Sequence, residues 1–250
     1  MSQRFLLFFV MGFYAAMAQV SSKPISTTTP TVLRTIPHDT QAFTQGLFYY
    51  KGFLYESTGL YGQSKLRVID PSNGNVIKSV PVPDVFAEGL CRVDSFLVQL
   101  TWKEQAAIKY SESDFSVKGS FSYSGEGWGL TYNGTAYIMS NGSDTLFMRN
   151  KNFSVIKKIP VTCGNKPLRE LNELEYVNGF VYANVWFNTN IYVIQASSGT
   201  VVRIIDCMPL VIKNASQSEQ DVLNGIAYNK KSQTFYVTGK NWQYIFEVKM

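Results

Sequence analysis

The chain reads as an all-β protein: a five-bladed β-propeller whose ring is closed by an N-terminal strand completing the last blade. Three observations predict this. First, one short pattern recurs five times: a polar or aromatic residue, a Gly-Leu-like pair, an apolar strand, a turn and a second strand. The copies read QGLFYYKGFLYES from Gln45, EGLCRVDSFLVQLTW from Glu88, WGLTYNGTAYIMS from Trp128, NELEYVNGFVYANVW from Asn172 and NGIAYNKKSQTFYVTGK from Asn224. Second, the copies start 40 to 52 residues apart, the length of one blade. Third, the fifth copy ends a strand short, while a strand-like segment, Val32–Ile36, stands before the first. Closing the ring with that segment removes two open sheet edges.

The elements follow in order. Residues 1–18 carry Arg4, an apolar run from Phe5 to Met17 and the small-x-small site Ala16-Met17-Ala18, the pattern of a secretory signal peptide. The alternative is an uncleaved anchor, for which the run is short. Residues 19–31 are rich in Ser, Thr and Pro and are expected to be a flexible leader. The propeller occupies 32–250 as one domain, with no linker-like stretch inside it. In the first repeat Gly46–Tyr50 and Phe53–Ser57 form a hairpin about Lys51-Gly52. Ser64–Asp70 follows, then the turn Pro71–Gly74 and Val76–Val82. The fourth repeat has the same order, and the fifth stops after Trp242–Lys249. Abundant aromatic residues, 15 Tyr and 17 Phe, suit strands.

Secretion, or residence in the secretory-pathway lumen, fits two further features. Sequons stand at Asn133, Asn141, Asn152 and Asn214. Cys163 and Cys207 follow the last strands of the third and fourth repeats, so a Cys163–Cys207 disulfide is expected. Cys91 reads as a buried free thiol. A net charge of +5 without a basic run gives no support to nucleic-acid binding. Neither a stable membrane association nor an oligomer is expected.

The repeat also predicts a site. Gln45, Glu88, Trp128, Asn172 and Asn224 open the five innermost strands and should converge at one channel mouth. Trp102, Trp186, Asn141 and Lys240 end the neighbouring second strands. Those strands run antiparallel to the first, so both sets share that mouth. With Phe43 and Phe86 at its edge, this is a concave aromatic pocket with few polar groups. The bland alternatives are core packing for each Trp and, for Glu88, a carboxylate satisfied by backbone amides. A single histidine, His38, leaves no zinc cluster and no partnered nucleophile. A carboxylate in an apolar setting remains, where burial raises its pKa toward neutrality.

Several stretches together resemble the plant- and bacterial-type glutaminyl cyclases: PHDTQAFTQGL (Pro37–Leu47), YESTGLYGQSKLR (Tyr55–Arg67), FAEGL (Phe86–Leu90), QLTWKE (Gln99–Glu104), EGWGLT (Glu126–Thr131), LNELEYVNG (Leu171–Gly179), ANVW (Ala183–Trp186), LNGIAY (Leu223–Tyr228) and VTGKNW (Val237–Trp242). The resemblance covers nearly the whole domain after the leader. It implies a five-bladed propeller that converts N-terminal glutamine of peptides or proteins to pyroglutamate with release of ammonia. No cofactor is required; a structural calcium in the channel is left open by the sequence. Glu88 is implied as the proton shuttle. Asn172, Gln45 and Lys240 are expected to bind or polarise the substrate amide, and Trp102, Trp128, Trp186, Phe43 and Phe86 to wall it. One departure stands out: Ser140-Asn141-Gly142-Ser143 replaces the family's Ser-Asp-Gly and creates a sequon at the mouth. Cleavage after Ala18 would expose Gln19, making the mature chain its own substrate. The competing readings are a non-catalytic propeller that binds peptide N-termini or a small ligand, and a hydrolase, for which no metal cage or activated nucleophile is found.

Overall fold

The computed structural model describes residues 24–82, 84–214 and 218–250. Its strands form five four-stranded antiparallel blades. The inner strands are Thr44–Tyr50, Ala87–Val93, Leu130–Tyr132, Leu171–Val177 and Leu223–Asn229. Each inner strand turns into its neighbour through a tight hairpin. In the first and fourth blades the turn residues Lys51-Gly52 (φ 47 and 93) and Asn178-Gly179 (φ 49 and 90) all take positive φ. That is the turn whose twist matches a two-residue hairpin. The fifth blade has three strands of its own, and Thr31–Pro37 pairs antiparallel with Tyr244–Lys249 to complete it.

Packing explains why the inner strands are buried on both faces. Five apolar clusters form the core, and each fills the gap between one pair of adjacent blades. The cluster of Ile36, Leu47, Leu54, Ile69, Ala227, Tyr236 and Ile245 joins the fifth blade to the first and seals the ring. An ion network reinforces that seam. Arg67 reaches Glu56 through Nε at 2.9 Å and Nη2 at 2.8 Å, and Asp39 through Nη1 at 2.6 Å. His38 Nε2 lies 2.9 Å from Glu56 Oε1 and its Nδ1 lies 3.0 Å from the Trp242 carbonyl.

Close approach of the inner strands depends on the glycine of the repeat. A Cβ on Gly46 would stand 2.5 Å from the Leu90 nitrogen, and one on Gly129 would stand 2.0 Å from the Asn172 carbonyl oxygen. The fourth blade departs from the pattern with Glu173. Its buried carboxyl crosses the channel and accepts the backbone N–H of Leu47 at 3.3 Å and of Ile226 at 2.9 Å. Glu175, two residues on, accepts the N–H of Tyr228 at 2.9 Å. Both carboxyls of this strand therefore bond to amides.

Three expectations change, and one falls outside the described residues. The signal segment 1–18 and residues 19–23 lie outside the described residues. Within the expected leader, Ser26–Thr28 forms a strand that pairs parallel with Arg203–Ile205 on the outer edge of the fourth blade, because that edge offers unpaired backbone groups. The Cys163–Cys207 disulfide does not form, and all three cysteines are free. Thr162 bridges Thr200 at the start of Val201–Asp206, whereas Cys207 follows the end of that strand. Six strand residues place the two sulfurs on the order of 20 Å apart. Finally, Asn214 is buried and donates Nδ2 to the Leu210 carbonyl at 2.8 Å, a packing incompatible with a glycan on that nitrogen. It caps the short helix Met208–Lys213, an insertion that accounts for the 52-residue spacing of the last two repeats.

Candidate active site

The inner strands bear β-bulges at the start of the repeat. The register shifts between Thr44 and Gly46, Ala87 and Leu90, Leu171 and Leu174, and Leu223 and Ile226. Gln45, Glu88, Asn172 and Asn224 each sit in such a bulge. A bulge re-aims the side chain beside it, so polar groups are turned out of the strand ladder at one end of the ring.

The result is a cavity of about 360 Å3 lined by Phe43, Gln45, Phe86, Glu88, Trp102, Glu126, Trp128, Asn172, Trp186, Gln220 and Lys240. Every residue expected to bind or wall the substrate lines it except Asn224; Asn141, expected at the same mouth, is not in the lining either. Asn224 is fully buried behind Gln45, donating Nδ2 to the Thr44 carbonyl at 2.9 Å and to Gln45 Oε1 at 3.2 Å. With Oε1 so engaged, Gln45 presents Nε2 to Glu88 Oε1 at 3.0 Å. Asn224 thus fixes the orientation of a wall residue instead of forming the wall.

Two lining residues escaped the sequence reading. Glu126 belongs to the EGWGLT stretch, and its Oε2 accepts both Trp102 Nε1 at 2.8 Å and Trp128 Nε1 at 3.0 Å. Its place two residues before Trp128 was the available signal. Gln220 lies in the insertion between the fourth and fifth blades, where the repeat provides no guide.

The aromatic walls brace one another. Trp128 and Trp186 meet edge to face at 5.5 Å, Phe86 and Trp102 pack at 5.4 Å, and Phe43 and Phe86 meet edge to face at 6.1 Å. Gly142 lets the Asn141 loop lie flat on this wall, since a Cβ there would stand 2.7 Å from the Trp128 ring. Asn141 itself is part-exposed, with Oδ1 accepting from Ser143 Oγ at 2.6 Å.

The electrostatics are unusual. Burial pushes the Glu88 carboxyl well above the ordinary carboxylate range; Lys240 opposes this, and Glu126 and Glu104 add to it. Burial lowers the Lys240 ammonium to about 8, against the opposing pull of Glu88. Lys240 Nζ stands 4.7 Å over the Phe43 ring. Two buried polar atoms on the wall have no partner among the described residues, Asn172 Oδ1 and Trp186 Nε1. Such atoms are costly unless something polar binds there. The site therefore offers a proton acceptor, a cation, a spare acceptor and a spare donor inside an aromatic box.

The family model for glutamine cyclotransferase matches residues 5–250. The chain belongs to the glutamine cyclotransferase family. A relative from Arabidopsis thaliana, named glutaminyl-peptide cyclotransferase, is 36% identical over 225 residues, spanning 88% of this chain and 70% of its own. The crystal structure of glutaminyl cyclase from Myxococcus xanthus superposes with a TM-score of 0.86 at 35% identity, covering 91% of this chain and 98% of that one. The structural match agrees with the five-bladed ring. Among the described residues no group of three or more His, Cys, Asp or Glu side chains is placed to hold a metal ion.

Proposed function

We propose that the protein is a glutaminyl-peptide cyclotransferase and that Glu88 shuttles the proton. The observation that carries this is a buried carboxyl, oriented by Gln45, at an aromatic cavity that also holds a cation and unpaired polar atoms. The neutral α-amine of an N-terminal glutamine attacks its own side-chain carboxamide carbon. Glu88 as carboxylate takes the proton that the amine nitrogen loses. The tetrahedral carbon then expels its amino group, to which Glu88 delivers that proton, and ammonia leaves as the ring closes.

Other wall residues have roles that follow from their atoms. Trp186 Nε1 and Lys240 Nζ are donors for the carboxamide oxygen as negative charge develops on it. Asn172 Oδ1 is an acceptor for the amine or the departing amide N–H. The faces of Trp102 and Trp128 enclose the side chain, because their N–H groups are already committed to Glu126. Holding amine and carbonyl together in a dry box supplies proximity to a reaction that is intramolecular from the start.

We also infer entry into the secretory pathway, from the pattern of residues 1–18 and the sequons at Asn133, Asn141 and Asn152. Asn152 is exposed, and Asn133 and Asn141 are part-exposed. N-terminal analysis of the secreted chain should then find pyroglutamate at position 19; free Gln19 would refute self-cyclisation.

The deciding experiment is ammonia release from a Gln-initiated dipeptide amide, with and without chelator, beside Glu88→Gln. Chelator-resistant release that falls about 100- to 10,000-fold in the variant, with the fold intact, is the expected result. Release at the spontaneous rate by the folded wild type would favour a non-catalytic propeller that binds peptide N-termini.

A further inference from the structure

A second, larger cavity of about 600 Å3 lies beside the catalytic one. Three chain segments wall both. Gln220 faces the first and Asp221 the second; Lys240 and Asn241 divide in the same way; and Gln41 lines the second two residues before Phe43 lines the first. The dividing wall is tied together by backbone bonds. Asn241 N–H donates to the Ala42 carbonyl at 2.8 Å, and Lys240 N–H donates to the Val222 carbonyl at 2.9 Å. Asn241 takes φ 57, and this left-handed residue turns the chain as it passes from one cavity to the other.

The two spaces differ in chemistry. The catalytic cavity is walled by aromatic rings, whereas the second is lined by amides and hydroxyls, Thr40, Gln41, Gln63 and Gln243 among them. Among the described residues of this lining Asp221 carries a charge; its Oδ1 accepts from Asn241 Nδ2 at 2.9 Å and its Oδ2 from the Ser218 N–H at 2.9 Å. Side-chain amides and hydroxyls arranged along a groove suit an extended peptide, whose backbone has both donors and acceptors to satisfy. The substrate chain beyond the glutamine leaves the aromatic cavity by its mouth, and the polar cavity lies on the other side of the same three segments.

We propose that the polar groove is the subsite for the residues following the N-terminal glutamine of a peptide or protein substrate. Asp221 makes it favour a basic residue at the third or fourth position. The inference rests on the cyclotransferase reading and extends it to sequence preference.

The test compares kcat/KM for the dipeptide amide Gln-Ala and for tetrapeptide amides Gln-Ala-Lys-Ala, Gln-Ala-Ala-Ala and Gln-Ala-Glu-Ala, together with variants that move the basic or acidic residue to position four. The Lys peptide is expected to exceed its Glu counterpart by roughly two- to fivefold at low salt, with the gap narrowing as salt is added. The Lys-to-Glu ratio should fall to about one in Asp221→Asn. Gln63→Lys, which leaves the Asp221 contacts in place, should push the ratio below one. Cyclisation of the dipeptide amide with equal rates for all tetrapeptides would overturn the groove alone. No turnover of the dipeptide amide would overturn the cyclotransferase reading and this inference with it.

Discussion

Gln45 donates its side-chain Nε2 to Glu88 Oε1 at 3.0 Å, a bond between the inner strands of neighbouring blades. Its direction is set from behind, because Asn224 donates Nδ2 to Gln45 Oε1. In Asn224→Asp a carboxylate would replace that donor and favour the reversed Gln45 amide, with its oxygen facing Glu88. A carboxylate facing an oxygen is disfavoured, so the Glu88 pKa should rise further. The acid limb of the kcat/KM profile should move to higher pH, with kcat reduced more than KM is changed. An unshifted limb in a folded variant would show that Asn224 does not position Gln45.

Lys240 acts on the same group with the opposite sign. Its charge lowers the Glu88 pKa, so Lys240→Met should raise it and carry the acid limb upward again. The wild type should also lose activity as Lys240 loses its proton near its depressed value of about 8. The pH profile of the variant should lack that alkaline limb.

Glu126 holds two tryptophans by their N–H groups. Hydrogen bonds to a charged group contribute about 1.5–3 kcal/mol each, and here part exposure places them toward the low end. Glu126→Ala should free Trp102 and Trp128 to reorient, raising KM for a dipeptide amide by about tenfold while kcat falls less. Three of the four tryptophans line the cavity, so substrate-induced change in intrinsic fluorescence provides a second readout.

Glu56 supports the ring closure. Burial alone would raise its pKa, but the Arg67 guanidinium and the His38 ring outweigh burial and bring it down to about 2 from 4.5. A depressed carboxyl contributes stability that is present above the unfolded value and lost as pH falls through the folded one. The difference corresponds to ~3 kcal/mol between pH about 4.5 and about 2. Glu56→Gln should lower Tm by roughly 10 °C near neutral pH. The gap to wild type should close as pH falls through that window. A constant gap would show that the ion network is not its origin.

The blade count, the closing strand and the cavity lining were legible because each is carried by the repeat. Gln45, Glu88, Trp128 and Asn172 occupy equivalent positions, and a closed ring makes equivalent positions neighbours. The Cys163–Cys207 pairing was inferred from the same equivalence and failed. Thr162 meets the fourth blade at Thr200, the start of its outer strand, whereas Cys207 lies beyond that strand's other end. Sequons are local strings, so nothing in the one at Asn214 signalled that a helix cap would bury it.

The sequence by itself determined the fold and which side chains meet, because strand alternation, turn residues and the repeat length are local properties that fix the ring. Only the tertiary structure decided what those side chains do to each other. Asn224 turned back onto Gln45, Glu126 moved in between two indoles, Glu173 spanned the channel where other blades have glycine, and a polar groove opened beside the aromatic cavity. Each depends on bulges, loop insertions and distances between blades, which are set by packing of segments far apart in the chain.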